Sequence, residues 1–209
     1  MKHSAFRLLI MLILFSSFFS VKNLPGPVSK ASAPVLIFCS FDASQLDVRK
    51  NKRELFHELT DSLKAYLSLA IYKETGEEVN IWPQLISSHT NTDSVILAII
   101  RQQSAGKAVL IRSLDAYFDE SGNHEYTNDE GKQKVAVTYD LCTKIGYTVY
   151  TIDSALLRPE VVNCKQFTER SVSAKFSIRF GPDIVGKRKH TYGAVMNNAN
   201  KFVSVYYKH

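Results

Sequence analysis

At 209 residues, 45% hydrophobic and 22% charged, the chain has the composition of one ordinary globular domain with a tail, which excludes a disordered protein. Its formal charge of +6 falls to +4 once Lys2 and Arg7 near the amino terminus are set aside. A surplus that small and dispersed gives no ground for a nucleic-acid partner.

Residues 1–21 read as an export leader, because Lys2 and Arg7 flank a basic start and no charge occurs from Leu8 to Val21. A bilayer crossing needs ~20 apolar residues, so this run suits a signal peptide better than a span. The cleavage site is poorly defined: cutting after Ser20 places Phe18 where a small residue is preferred, and the Ser29/Ala31 pair stands far from the run. An uncleaved short anchor is the alternative. No cysteine stands where a lipid anchor requires one. The predicted location is the periplasm or the exterior. Residues 22–34, which include Pro25, Pro27 and Pro34, read as a linker, and 35–209 as a single domain.

VLIFCSF, from Val35, is a continuous apolar run of β-formers, as expected of an inner strand covered on both faces. Ser44 with Asp47 resembles a helix-start signal, and Leu55, Phe56, Leu59, Leu63, Leu67 and Ile71 then repeat at helical spacing until Gly76. VNIWPQLI, from Val79, is a second strand candidate, which Pro83 limits to a short or edge strand. Residues 87–93 form a polar loop before a shorter helix carrying Val95, Ile96, Ile99 and Ile100. In a phosphate loop glycine precedes the helix. Here Gly106 follows one, so it is expected as a left-handed carboxy-terminal cap, with no Ser or Thr after Lys107.

That strand is expected over 108–119 and a polar loop over 119–131. Alternation over 134–145 marks another strand, Gly146 a turn, and 147–153 its hairpin partner. Residues 155–171 have no clear reading, SAKFSIRF (173–180) is a candidate strand, and Ile184, Val195, Ala199 and Phe202 support a final helix. The predicted fold is α/β (α+β): a single mixed sheet of about five strands with helices packed on it, in the order β-α-β-α-β-β-β-α.

Reactive motifs are sparse. The acids of the 119–131 loop do not follow a calcium-loop spacing, the six histidines lie far apart, and no G-x-S-x-G or H-E-x-x-H is present. No cofactor or metal is implied. Cys39, Cys142 and Cys164 make no metal pattern; in an oxidising compartment one pair could close, and the alternative is three thiols without a role. Two basic clusters stand out, Arg49, Lys50, Lys52 and Arg53 at one helix start and Lys187, Arg188, Lys189 and His190 at another. Meeting in space, they would face an acidic partner or anionic lipid; apart, they are solvated faces. Aromatic residues near strand ends and turns, notably Trp82, Tyr117 and Tyr147, are a second candidate contact surface, the alternative being that they pack on the sheet.

VLIFCSF, IRQQSAGKAVLIRSLDAYF and KVAVTYDLCTKIGYTVYTID together resemble the α/β domain of bacterial envelope proteins related to the curli secretion channel protein and to the amino-terminal domain of TolB. The resemblance covers somewhat over half the chain and is one of apolar pattern. It implies a periplasm-facing, non-catalytic module in envelope assembly or maintenance. The expectation is therefore an exported domain that contacts another envelope protein. An envelope hydrolase, or a binder of anionic lipid or a small ligand, are the alternatives.

Overall fold

A computed structural model describes residues 33–87, 91–170 and 183–207, all within the compact unit Ser32–His209. The leader, nearly all of the linker and SAKFSIRF lie outside the described residues. The elements are β1 (Val35–Cys39), α1 (Lys50–Thr75), β2 (Val79–Leu85), α2 (Thr92–Gln102), β3 (Lys107–Thr127), β4 (Gln133–Thr151), β5 (Ala155–Leu157), β6 (Glu160–Arg170) and α3 (Arg188–Phe202). They build one mixed six-stranded sheet ordered β2-β1-β3-β4-β5, with β6 also on β4. The α/β architecture expected from the sequence is therefore present.

β1 runs parallel to both β2 and β3, whereas β4 is antiparallel to β3, and β5 and β6 are each antiparallel to β4. All five β1 residues are buried, and they alternate between two cores. Val35, Ile37 and Cys39 pack with the stripes of α1 and α3; Leu36 and Phe38 pack with Ile96 and Ile100 of α2. Helices thus cover both faces, which is why VLIFCSF has no polar side.

α1 buries the predicted stripe and ends at Gly76, whose φ of 73° and N–H bond to the Tyr72 carbonyl form a left-handed cap. Its start differs from expectation. Ser44 lies in a separate 3-10 turn, Ala43–Gln45, capped by Asp42, and α1 begins only after Arg49, with no side-chain cap. The second cap prediction also fails: Ser104 takes the positive φ (52°) after α2, while Gly106 packs close to Ala33 and donates its N–H to Pro34.

The largest correction concerns the 119–131 loop. β3 continues to Thr127, and only a tight turn at Asn128–Lys132 joins it to β4. Gly146 makes no turn, because β4 passes straight through it. A Cβ there would stand 2.6 Å from Ser113 Oγ, so the glycine is explained by the closeness of β3. The unread segment after Ser154 becomes β5 and β6, two pieces of one path along the outer edge of β4, interrupted at Arg158 and Pro159. Cys142 and Cys164 are register partners on β4 and β6 and form a disulfide; Cys39 is buried and free. Among the described residues no helix is long and apolar enough to cross a membrane.

Candidate functional site

α1 and α3 pack side by side in the same direction. Glu58 of α1 pairs with Arg188 and accepts from Tyr192 Oη at 2.8 Å, and further along Asn200 Nδ2 donates to Tyr66 Oη at 3.0 Å. Because residue numbers rise together along both helices, their amino-terminal ends lie at one end of the domain. The two basic clusters, more than 130 residues apart in sequence, share that end.

Their cations have different duties. Arg53 folds back to donate to the carbonyls of Leu46 (3.0 Å) and Val48, holding the loop before α1. Lys50 lies 3.8 Å from Glu54, and Lys52 sits over the Phe56 ring. Arg188 is taken up by Glu58. Arg49, Lys52 and Lys189 make no ion pair among the described residues. The turn leading into α3 is fixed by buried Thr191, whose hydroxyl donates to Ile184 (3.1 Å) and Lys187 (3.2 Å).

Two grooves flank this end. One, of about 510 Å³, is lined by Asp47, Val48, Arg49, Lys52, Asp183 and Val185. The other, of about 460 Å³, runs between β6 and α3 past Leu141, Lys165, Lys189, His190 and Asn197. The first mixes signs, with Asp47 and Asp183 set among the cations. Neither helix has an acid in its first turn or a side-chain cap, so the cations add to the positive end of each helix dipole.

The aromatic candidates do not form one surface. Tyr147 is fully buried, stacked on Phe202 at 4.0 Å, with its hydroxyl pushed up in pKa by burial, so it is core and not a contact residue. Trp82 is half-buried beside Phe38 on edge strand β2, its Nε1 without a partner. Tyr117 is half-buried on β3. Among the described residues no group of three or more His, Cys, Asp or Glu could hold a metal ion. Burial raises the Cys39 thiol above its ordinary pKa, which makes it a poor nucleophile. Glu58 gave no signal in the sequence, since its role exists only once α1 and α3 touch, and Tyr192 stood out only as one of several aromatic residues.

No family model and no curated protein matches the chain. Among solved structures it is similar to the rare lipoprotein B from Shewanella oneidensis, at 8% identity and a TM-score of 0.39 over 83% of this chain and 94% of that one. It is also similar to a neuraminyllactose-binding hemagglutinin homolog from Helicobacter pylori, at 11% identity and a TM-score of 0.43 over 84% and 85%. Neither bears the name of the curli channel protein or TolB, and no residue role passes from either to this chain.

Proposed function

We propose that this protein is an exported, non-catalytic domain whose basic end, where α1 and α3 begin, docks an acidic protein surface in the cell envelope. The observation that carries the reading is that Arg49 and Lys52 line one groove and Lys189 another at the end where α1 and α3 begin. Export is supported by the charge-free run after Arg7 and by the Cys142–Cys164 bond, a linkage that persists in oxidising compartments.

A protein partner fits better than a lipid surface. A membrane-lying face combines cations with large apolar side chains that insert. Here the exposed large apolar residues, among them Leu69, Tyr72, Ile81 and Leu156, belong to other parts of the molecule, and the basic end is concave and interspersed with Asp47 and Asp183.

The test is site-specific crosslinking from position 52 in intact envelopes. The expected result is a crosslink to an acidic segment of an envelope protein, lost in Arg49→Glu/Lys189→Glu. Recovery of the protein from the cytosol, or binding to anionic vesicles in place of any protein crosslink, overturns the reading.

A further inference from the structure

The end that carries the basic clusters also carries their electrostatic opposite. β3 runs parallel to β1 and pairs with it only as far as Ile111, opposite Cys39. α1 starts from the loop after that same end of β1. β3 continues for sixteen more residues in the same direction, paired with β4, which β6 lines on its other edge as far as the Ala136–Arg170 pair, and this extension leaves the core near Phe118. From Asp119 to Gln133 only Tyr126 and Asn128 are even partly covered. At ~3.3 Å per residue the exposed part of β3 alone reaches roughly 25 Å beyond the body.

This arm is acidic. Between Ser113 and Gly131 stand Asp115, Asp119, Glu120, Glu125, Asp129 and Glu130, without a lysine or arginine. Lys132 in the turn pairs with Glu130 at 3.0 Å, β4 adds Lys134, and β6 adds Lys165 and Arg170 with Glu169, so the acidic excess is greatest from Asp119 to Glu130. Glu125 and Asp129 are exposed and do not line the Arg49/Lys52 groove of their own chain. Nor is the free edge of β3 built to accept another strand: it has irregularities at Ile111/Ser113 and Glu120/Gly122 and four carboxylates along its length, features that deter edge pairing.

We propose that the acidic β3–β4 arm of one copy seats against the basic α1/α3 end of a second copy, reciprocally, in a two-fold dimer. The inference rests on the reading of the basic end as a protein-docking surface and names its partner. With both signs at one end, two copies brought end to end about a two-fold axis satisfy both contacts at once, and the assembly closes instead of growing. Opposite charges at such contacts set orientation and partner choice.

Sedimentation of the purified protein tests this directly. A dimer is expected at ~0.1 M salt, where the screening length is ~10 Å, and dissociation roughly tenfold easier or more at ~1 M, where it is ~3 Å. Two variants sharpen the test: Asp119→Lys/Glu120→Lys/Glu125→Lys makes arm and base both cationic, and Arg49→Glu/Lys52→Glu/Lys189→Glu makes both acidic. Each alone is expected to be monomeric, and an equimolar mixture to form a heterodimer. The salt response of the unaltered protein decides the matter even where a variant fails to fold. A monomer at low salt, or variants that dimerise unmixed, overturns the dimer; an envelope crosslink from position 52 in that case leaves the docking function standing with another partner.

Discussion

Asn198, fully buried on α3, donates from Nδ2 to the backbone carbonyl of Val161 on β6 at 2.7 Å. The same amide group donates to Thr143 on β4, and its oxygen accepts from Tyr147 Oη at 3.4 Å, so one polar side chain ties α3 to two strands and a core tyrosine. Buried polar groups are costly when unpaired, and truncation strands several at once. Asn198→Ala is expected to lower stability by about 3 kcal/mol, read by urea unfolding. A loss within ~0.5 kcal/mol, the usual range for surface substitutions, would mean that the network is not formed.

The cross-strand disulfide joins directly opposed positions of β4 and β6 and closes a loop with a sequence separation of 22. Restricting the unfolded chain over such a loop stabilises by about 3 kcal/mol. Cys142→Ser/Cys164→Ser should show that loss. In the unaltered protein a thiol reagent should find one reactive group per chain, Cys39, and only after denaturation, because Cys39 is buried and free. Three reactive thiols would contradict the bond.

Gly146 donates its N–H to Ser113 Oγ at 3.2 Å, the same atom that a Cβ would meet at 2.6 Å. Gly146→Ala should therefore cost about 1–2 kcal/mol by forcing the serine to rotate and break this bond. Adding Ser113→Ala should recover part of the loss. A double variant that is less stable than the sum of the singles would place the strain elsewhere.

Burial raises the tyrosine pKa at Tyr147, Tyr150 and Tyr207; Tyr150 and Tyr207 are pushed further by hydrogen bonds to the carboxylates of Asp93 and Glu77. A folded pKa above the unfolded one means that the unfolded chain loses these protons first. The stabilisation is complete below the unfolded value of ~10 and falls as pH rises above it, by at most ~1.4 kcal/mol per pH unit for each tyrosine. Circular dichroism should show cooperative unfolding above about pH 10, with phenolate absorbance rising in the same transition. Ionisation of all ten tyrosines before the structure is lost would refute the burial of these hydroxyls.

Local chemistry was legible wherever the period of the chain matched a buried face. The α1 stripe from Leu55 to Ile71 belongs to the core that α3 and one face of the sheet complete, and Gly76 stops it as a left-handed cap should. The arm was misread because its outer strand is exposed from Asp119 to Glu125 and has no apolar alternation: Asp119 to Thr127 looks like a loop, and only its ladder with β4 makes it a strand. Gly146 misled for a related reason, since a glycine required by a neighbouring strand is indistinguishable in sequence from one required by a turn.

Composition and periodicity alone determined the α/β class, the covered inner strand and the existence of two basic clusters, because each depends on residues a few positions apart. Tertiary structure decided which cations meet, which cysteines bond and which way the acidic arm projects. These are contacts between segments distant in the chain, set by the packing of α1 against α3 and the register of β4, and no local repeat encodes them.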